Sequence, residues 1–277
     1  LKALHAEFQK ARRRRDVPVA VGVALVVILW VGATYEIESE TDRARCFTML
    51  FYAVPLLNTI VMPLGMAALA SRLWDCETKG ESCKLLLTLQ SRENLFAGKA
   101  AMGLLESLLV CLVEAAGVLA LAALKQATEP LDAGRFAWLV ACTFVINAML
   151  YFFSLWLSMR FRNQTAALAV GFCGALIGLF ANFMPVWFSY FVPFGYYVPL
   201  CCVRMLYNEA TRTSTFTPEP LRWWLLGVGA LLAVLAALPC RRTIRTKEEK
   251  RCFCAVSTRK TASCAVPPSG WYFLWCR

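Results

Sequence analysis

Only one histidine, His5, occurs in 277 residues. A histidine-based catalytic triad is therefore disfavoured. So is a zinc site, which needs Cys and His clustered at short spacing. The 13 cysteines do not change this, because no C-x-x-C occurs among them. No H-E-x-x-H and no G-x-S-x-G is present. A G-x-x-x-x-G-K-[ST] phosphate loop is missing too: Gly98-Lys99 runs into Ala100 and lacks the upstream glycine. The chain is thus expected to bind no nucleotide, no metal and no other cofactor, and to be no enzyme. Charge is also scarce, at 17% of residues against 59% hydrophobic, with a mean hydropathy of +0.55. A soluble domain is nearer half apolar and a quarter charged.

What is abundant is long apolar sequence. Six stretches are long enough to cross a bilayer, which takes roughly 20 helical residues. They lie at 17–35, 47–71, 100–124, 136–159, 164–192 and 221–239. Helix is the expected form, because backbone groups in lipid must be satisfied within the segment. The expectation is an all-α integral membrane protein with six transmembrane helices. There is no room for a second domain of normal size. The first stretch follows basic residues, as a signal peptide would. Its apolar run is longer than a signal core, and no A-x-A-like site precedes Glu36, so it reads as a retained anchor.

Lys and Arg set the orientation. With the N-terminus inside, the segments on that side carry 22 of them and the opposite segments carry 7. The positive-inside rule then puts both termini in the cytoplasm. The net charge of +11 is mostly topology, with contact to anionic lipid, and implies no nucleic-acid partner.

Residues 1–16 place Leu1, Leu4, Phe8 and Ala11 on one helical face, which predicts an interfacial N-terminal helix. Arg12, Arg13, Arg14 and Arg15 then keep the chain from sliding into lipid. Within the second span, Pro55 and Pro63 each remove a backbone donor and favour a kink. Within the third, Glu106 and Glu114 are intramembrane carboxylates that can share one broad face. Each is either a structural carboxyl or part of a substrate or proton path. Ala167, Gly171, Gly174, Ala175 and Gly178 allow close helix approach, either within the chain or between subunits. Cys111, Cys142 and Cys173 read as small buried side chains, while Cys76 and Cys83 should stay reduced. The broken apolar run from Pro193 to Leu206 is too short to span and predicts a re-entrant or interfacial segment before the last span.

A polar island, residues 72–99, separates the second and third spans. It contains a compact apolar run, Leu85-Leu86-Leu87-Thr88-Leu89. A mere connector needs no such run. Before it stand Glu77, Gly80, Glu81 and Lys84, and after it Ser91-Arg92 and Gly98-Lys99. This pattern resembles the ABC type-2 transporter permease family, over about residues 1–245. Pro193-Phe194-Gly195-Tyr196 is similar to a motif of its lantibiotic-immunity and antimicrobial-peptide export branch. Two departures stand out: Gln90 where a proline is common, and Phe194 where a Trp is usual.

The resemblance implies a permease subunit that moves a hydrophobic or amphipathic substrate out of a bacterial cytoplasmic membrane. It implies a separate ABC ATPase subunit that uses ATP and Mg, and a second permease, either a copy or a paralogue. It makes the island helix a cytoplasmic coupling helix. Leu85, Leu86 and Leu89 would then seat in the ATPase groove, with Glu77, Gly80, Glu81 and Lys84 around them. A non-transporting membrane protein, a sensor or an assembly scaffold, would share the hydropathy but not need that helix. Residues 246–277 form a cytoplasmic tail for which disorder is the expectation.

Overall fold

Apolar length decides most of the architecture. The computed structural model describes residues 15–35, 39–78, 92–161, 164–208 and 213–262. The elements are α1 (Asp16–Thr34), the single turn α2 (Glu40–Arg43), α3 (Cys46–Thr78), α4 (Arg92–Leu124), α5 (Ala133–Phe161) and α6 (Gln164–Ala181). Then come the short α7 (Val186–Ser189), a 3-10 turn at Pro193–Gly195, β1 (Val203–Asn208), β2 (Thr213–Pro218) and α8 (Trp223–Ala262). Among the described residues, five helices are long and apolar enough to cross a membrane: α1, α3, α4, α5 and the Trp223–Thr243 part of α8.

In lipid, helices gain little by hiding apolar surface, so small residues and buried polar groups decide which faces meet. The most buried spans are α3, with 72% of its apolar window buried, and α5, with 61%. They pack on each other and form the centre. Helix α1 lies against α3 and α4, α6 against α3 and α5, and α8 against α5 and α4. The Trp223–Thr243 part of α8, with only 22% of its apolar window buried, turns most of its surface outward. Ion pairs Arg72–Asp16 (3.4 Å) and Arg241–Glu93 (2.5 Å) gather α1, α3, α4 and α8 at one end of the bundle. That end is called the Asp16 end below, and the other the hairpin end.

The fifth apolar stretch behaves differently from its hydropathy. Helix was expected over 164–192, but α6 stops at Ala181. At 18 residues it is about 27 Å long, just short of the hydrocarbon core. The chain then folds back onto α6. A Cβ on Gly178 would stand 3.0 Å from the backbone N of Gly195, and one on Gly174 would sit 2.4 Å from the Phe194 ring. On the same helix, Gly171 faces the carbonyl of Pro63 in α3. The small residues of this stretch are thus used for packing within the chain.

Three further features go beyond what hydropathy shows. The fold is mostly helical, in keeping with an all-α membrane protein, and carries one small hairpin in which β1 and β2 pair antiparallel with Val203 opposite Pro218. Alternating threonines at 213, 215 and 217 suit a strand. The polar island is shorter than its composition suggests: α3 continues through Thr78 and α4 already begins at Arg92. Helix α8 continues past Pro239 to Ala262, since no glycine or proline follows to stop it before that residue. Residues 263–277 lie outside the described residues.

At the hairpin end, contacts from distant segments complete the helix termini. Thr48 donates from both its N–H (3.0 Å) and its hydroxyl (2.5 Å) to the Glu129 carboxylate, capping the start of α3. Pro55 has no N–H to give, so the carbonyl of Phe51 loses its helical donor. The thiol of Cys201 takes that place, donating to Phe51 O at 3.1 Å. Burial pushes this thiol's pKa up, which keeps it an S–H donor.

Candidate functional site

Five buried polar side chains meet in the middle of the bundle. They come from α3 (Asn58), α4 (Cys111 and Glu114), α5 (Asn147) and the segment after the 3-10 turn (Tyr197). Asn58 Nδ2 donates to Glu114 Oε2 at 3.1 Å, linking α3 to α4. Tyr197 donates its hydroxyl to Asn147 Oδ1 at 2.6 Å, and Asn147 Nδ2 reaches Cys111 Sγ at 3.6 Å. These two contacts link the folded-back segment to α5 and α5 to α4. Cys111 and Glu114 are three residues apart, so both links meet on one face of α4. Trp138 Nε1 holds the same segment by donating to Leu200 O at 2.8 Å.

The centre is incompletely satisfied. Glu114 is 3% exposed, and its Oε1 has no hydrogen-bond partner among the described residues. Asn58 Oδ1 is in the same condition. Leaving a buried polar atom unmatched costs free energy, more for a carboxyl than for an amide. A carboxyl with one open oxygen can accept a hydrogen bond from a passing group or exchange a proton. A small cavity of about 10 Å³, lined in part by Thr143, Tyr197 and Cys202, has room for about one water and none for a cargo.

Glu106 lies eight residues before Glu114, about 12 Å along α4, and is 2% exposed. The two intramembrane carboxylates therefore sit in one helix and both face the bundle interior. Lys99 adds a third ionisable group. It closes the polar island in sequence, yet it is fully buried. Its Nζ donates to Leu73 O at 3.3 Å and lies 5.7 Å from the Trp74 ring centre. Lys99 and Glu106 are seven residues apart and nearly in line along the helix. A row of Lys99, Glu106 and Glu114 thus runs from near the Asp16 end to beyond the middle of α4.

Tyr151 of α5 closes over the start of this row. Its hydroxyl donates to Lys99 O at 3.2 Å. A Cβ on Gly103 would fall 1.9 Å from the Tyr151 ring, so that position holds no side chain.

The remaining sequence candidates are placed as follows. Phe8, Arg12, Arg13 and Arg14 lie outside the described residues, while Arg15 is exposed and precedes α1 in a left-handed conformation (φ 57°). Glu77 falls in the last turn of α3. Gly80, Glu81, Lys84, Leu85, Leu86 and Leu89 lie outside the described residues, between α3 and α4. Among the cysteines, Cys111 and Cys142 are buried as expected, but Cys173 is exposed on α6.

Sequence reasoning missed Asn58, Asn147, Tyr197 and Lys99. Lone Asn residues inside apolar spans are a usable signal, since polar groups there usually face the bundle interior. The burial of Lys99 had no local signal, because it depends on Trp74 packing from another helix.

Compared with known proteins, the chain matches the family described as ABC-2 family transporter protein over residues 3–182. No curated protein matches it.

Proposed function

The chain belongs to the ABC-2 transporter family, and from that premise we propose that it is the permease subunit of a bacterial ABC exporter. A multi-pass membrane protein of this family is typically a transport subunit rather than an enzyme. ATP would be hydrolysed, with Mg, by a separate ATPase subunit, and a second permease would complete the membrane part. The cargo class is a hydrophobic or amphipathic molecule such as an antimicrobial peptide, leaving the membrane outward. Both termini and the α3–α4 connection would face the cytoplasm, which the Lys and Arg asymmetry supports. The folded-back segment at 182–200 would act as the re-entrant element and α6 as a shortened sixth span.

One observation carries the reading: the family match spans α1 to α6 and includes the polar connection between α3 and α4. In the proposed mechanism the ATPase grips Leu85, Leu86 and Leu89, with Glu77, Glu81 and Lys84 at the rim. The connection joins the central helix α3 directly to α4, the helix that bears Glu106 and Glu114. A displacement there moves both helices at once. The Cys111–Asn147 and Asn147–Tyr197 contacts would carry it on to α5 and the re-entrant element. The shift obtained is bounded by how differently the ATPase binds the two arrangements.

The test is co-purification of the full chain with its ATPase, followed by assay of ATP hydrolysis. The double variant Leu86→Asp, Glu81→Lys should lose the complex and the stimulation while its helicity stays native. Retention of both would remove the coupling role from this connection. A sensor or scaffold would bind no such ATPase at all.

A further inference from the structure

An open groove of about 370 Å³ runs along the side of the bundle. Its floor includes Phe153 and Trp156 of α5, one wall is Phe194 after the fold-back, and the other is Leu235, Ala236 and Pro239 of α8. The groove exists because α5 packs against both α6 and α8. Helices α5 and α8 run in the same direction: Gly229 faces Val145, and the Cys240 thiol donates to Phe152 O at 3.3 Å. Beside the groove, α8 exposes Leu231, Val234 and Leu238, as a lipid-facing surface does. Water has no polar partner in an apolar slot of this kind, so hydrocarbon is its natural filling.

The end of the groove has the opposite character. Arg160 lies seven residues beyond Phe153, and Arg242 seven beyond Leu235. Seven residues bring a helix back to nearly the same face, so each arginine continues the stripe that lines the groove. Both are exposed, and both stand toward the Asp16 end, where the spans leave the apolar layer. The result is an apolar slot sized for a chain-like ligand with two cations at its mouth.

We infer that this groove binds an anionic phospholipid from the leaflet at the Asp16 end, with an acyl chain over α5 and the phosphate headgroup between Arg160 and Arg242. Charge complementarity selects the headgroup and the apolar lining takes the tail. A lipid held there would fill the gap between α8 and the fold-back turn. The site does not depend on the ATPase reading, only on the chain spanning a membrane.

The test uses the full chain in nanodiscs of equimolar phosphatidylglycerol and phosphatidylcholine, with retained lipid counted by native mass spectrometry. The wild type should retain phosphatidylglycerol over phosphatidylcholine by about tenfold, the order expected for two basic side chains at a membrane surface. Arg160→Ser with Arg242→Ser should bring the ratio near one while a lipid is still retained. Ala236→Trp, which fills the slot, should abolish retention. Equal retention of the two lipids by the wild type would overturn the inference. An unchanged ratio in the double arginine variant, both of whose sites are exposed, would do so as well. Self-association of the wild type that Ala236→Trp disrupts, with lipid retention unaltered, would assign the groove to a second copy instead.

Discussion

Gly117 and Glu114 stand three residues apart on α4 and hold it to its neighbours in opposite ways. At Gly117 the contact is steric: a Cβ there would lie 2.5 Å from Ile28 of α1, and Gly65 of α3 is in the same position against Val23. At Glu114 the contact is polar: among the described residues it is a single hydrogen bond from Asn58, with an unmatched oxygen on each side. The glycine seam has no slack and one arrangement. The polar centre has open hydrogen-bonding capacity and admits more than one. A transporter needs both, a rigid frame and a part that can re-pair. We assign the seam to the first role and the centre to the second.

The largest effect should come from breaking the seam. Gly117→Leu overpacks α1 against α4 and should destabilise the protein by about 1–3 kcal/mol, read as a lowered thermal midpoint in detergent. An unchanged midpoint would mean that α1 is loosely held. Next is Tyr197→Phe, which leaves Asn147 Oδ1 without its donor. A loss of about 1 kcal/mol is expected, the scale of interhelical hydrogen bonds in membranes. A loss as large as at Gly117 would make the centre part of the frame. Cys201→Ala removes the donor to Phe51 O and should cost under about 1 kcal/mol, with Cys201→Ser restoring most of it. The smallest effect is Arg241→Ala. Its partner Glu93 and Arg241 itself are both well exposed, so the loss should stay below about 0.5 kcal/mol. These stabilities are comparable only when measured in the same detergent.

The sequence made the helical frame legible because hydropathy over some 20 residues is nearly sufficient for a span. Helices α1, α3, α4 and α5 fall close to the stretches expected from it, and α8 begins within two residues of its own. Where backbone meets backbone, hydropathy fails. The apolar run of α6 continues to Val192, but the Gly178–Gly195 approach turns the chain back at Ala181, and no window average registers such a contact. The site was half legible. Glu106 and Glu114 stood out as carboxylates in apolar sequence. The rest of the centre did not: Asn58 and Asn147 are lone polar residues in apolar spans, but their pairing with Glu114 and Tyr197 appears only once three helices and a distant segment converge. Cys201 is similar: its role appears only beside the donor that Pro55 lacks.

The most direct test of the division between frame and centre is Glu114→Gln. The amide can still accept from Asn58, so expression and thermal midpoint should stay close to wild type, within about 0.5 kcal/mol. Cellular resistance to a hydrophobic antimicrobial peptide, measured with the ATPase co-expressed, should nevertheless fall. A variant with unaltered resistance and unaltered stability would contradict the account and leave Glu114 a packing residue.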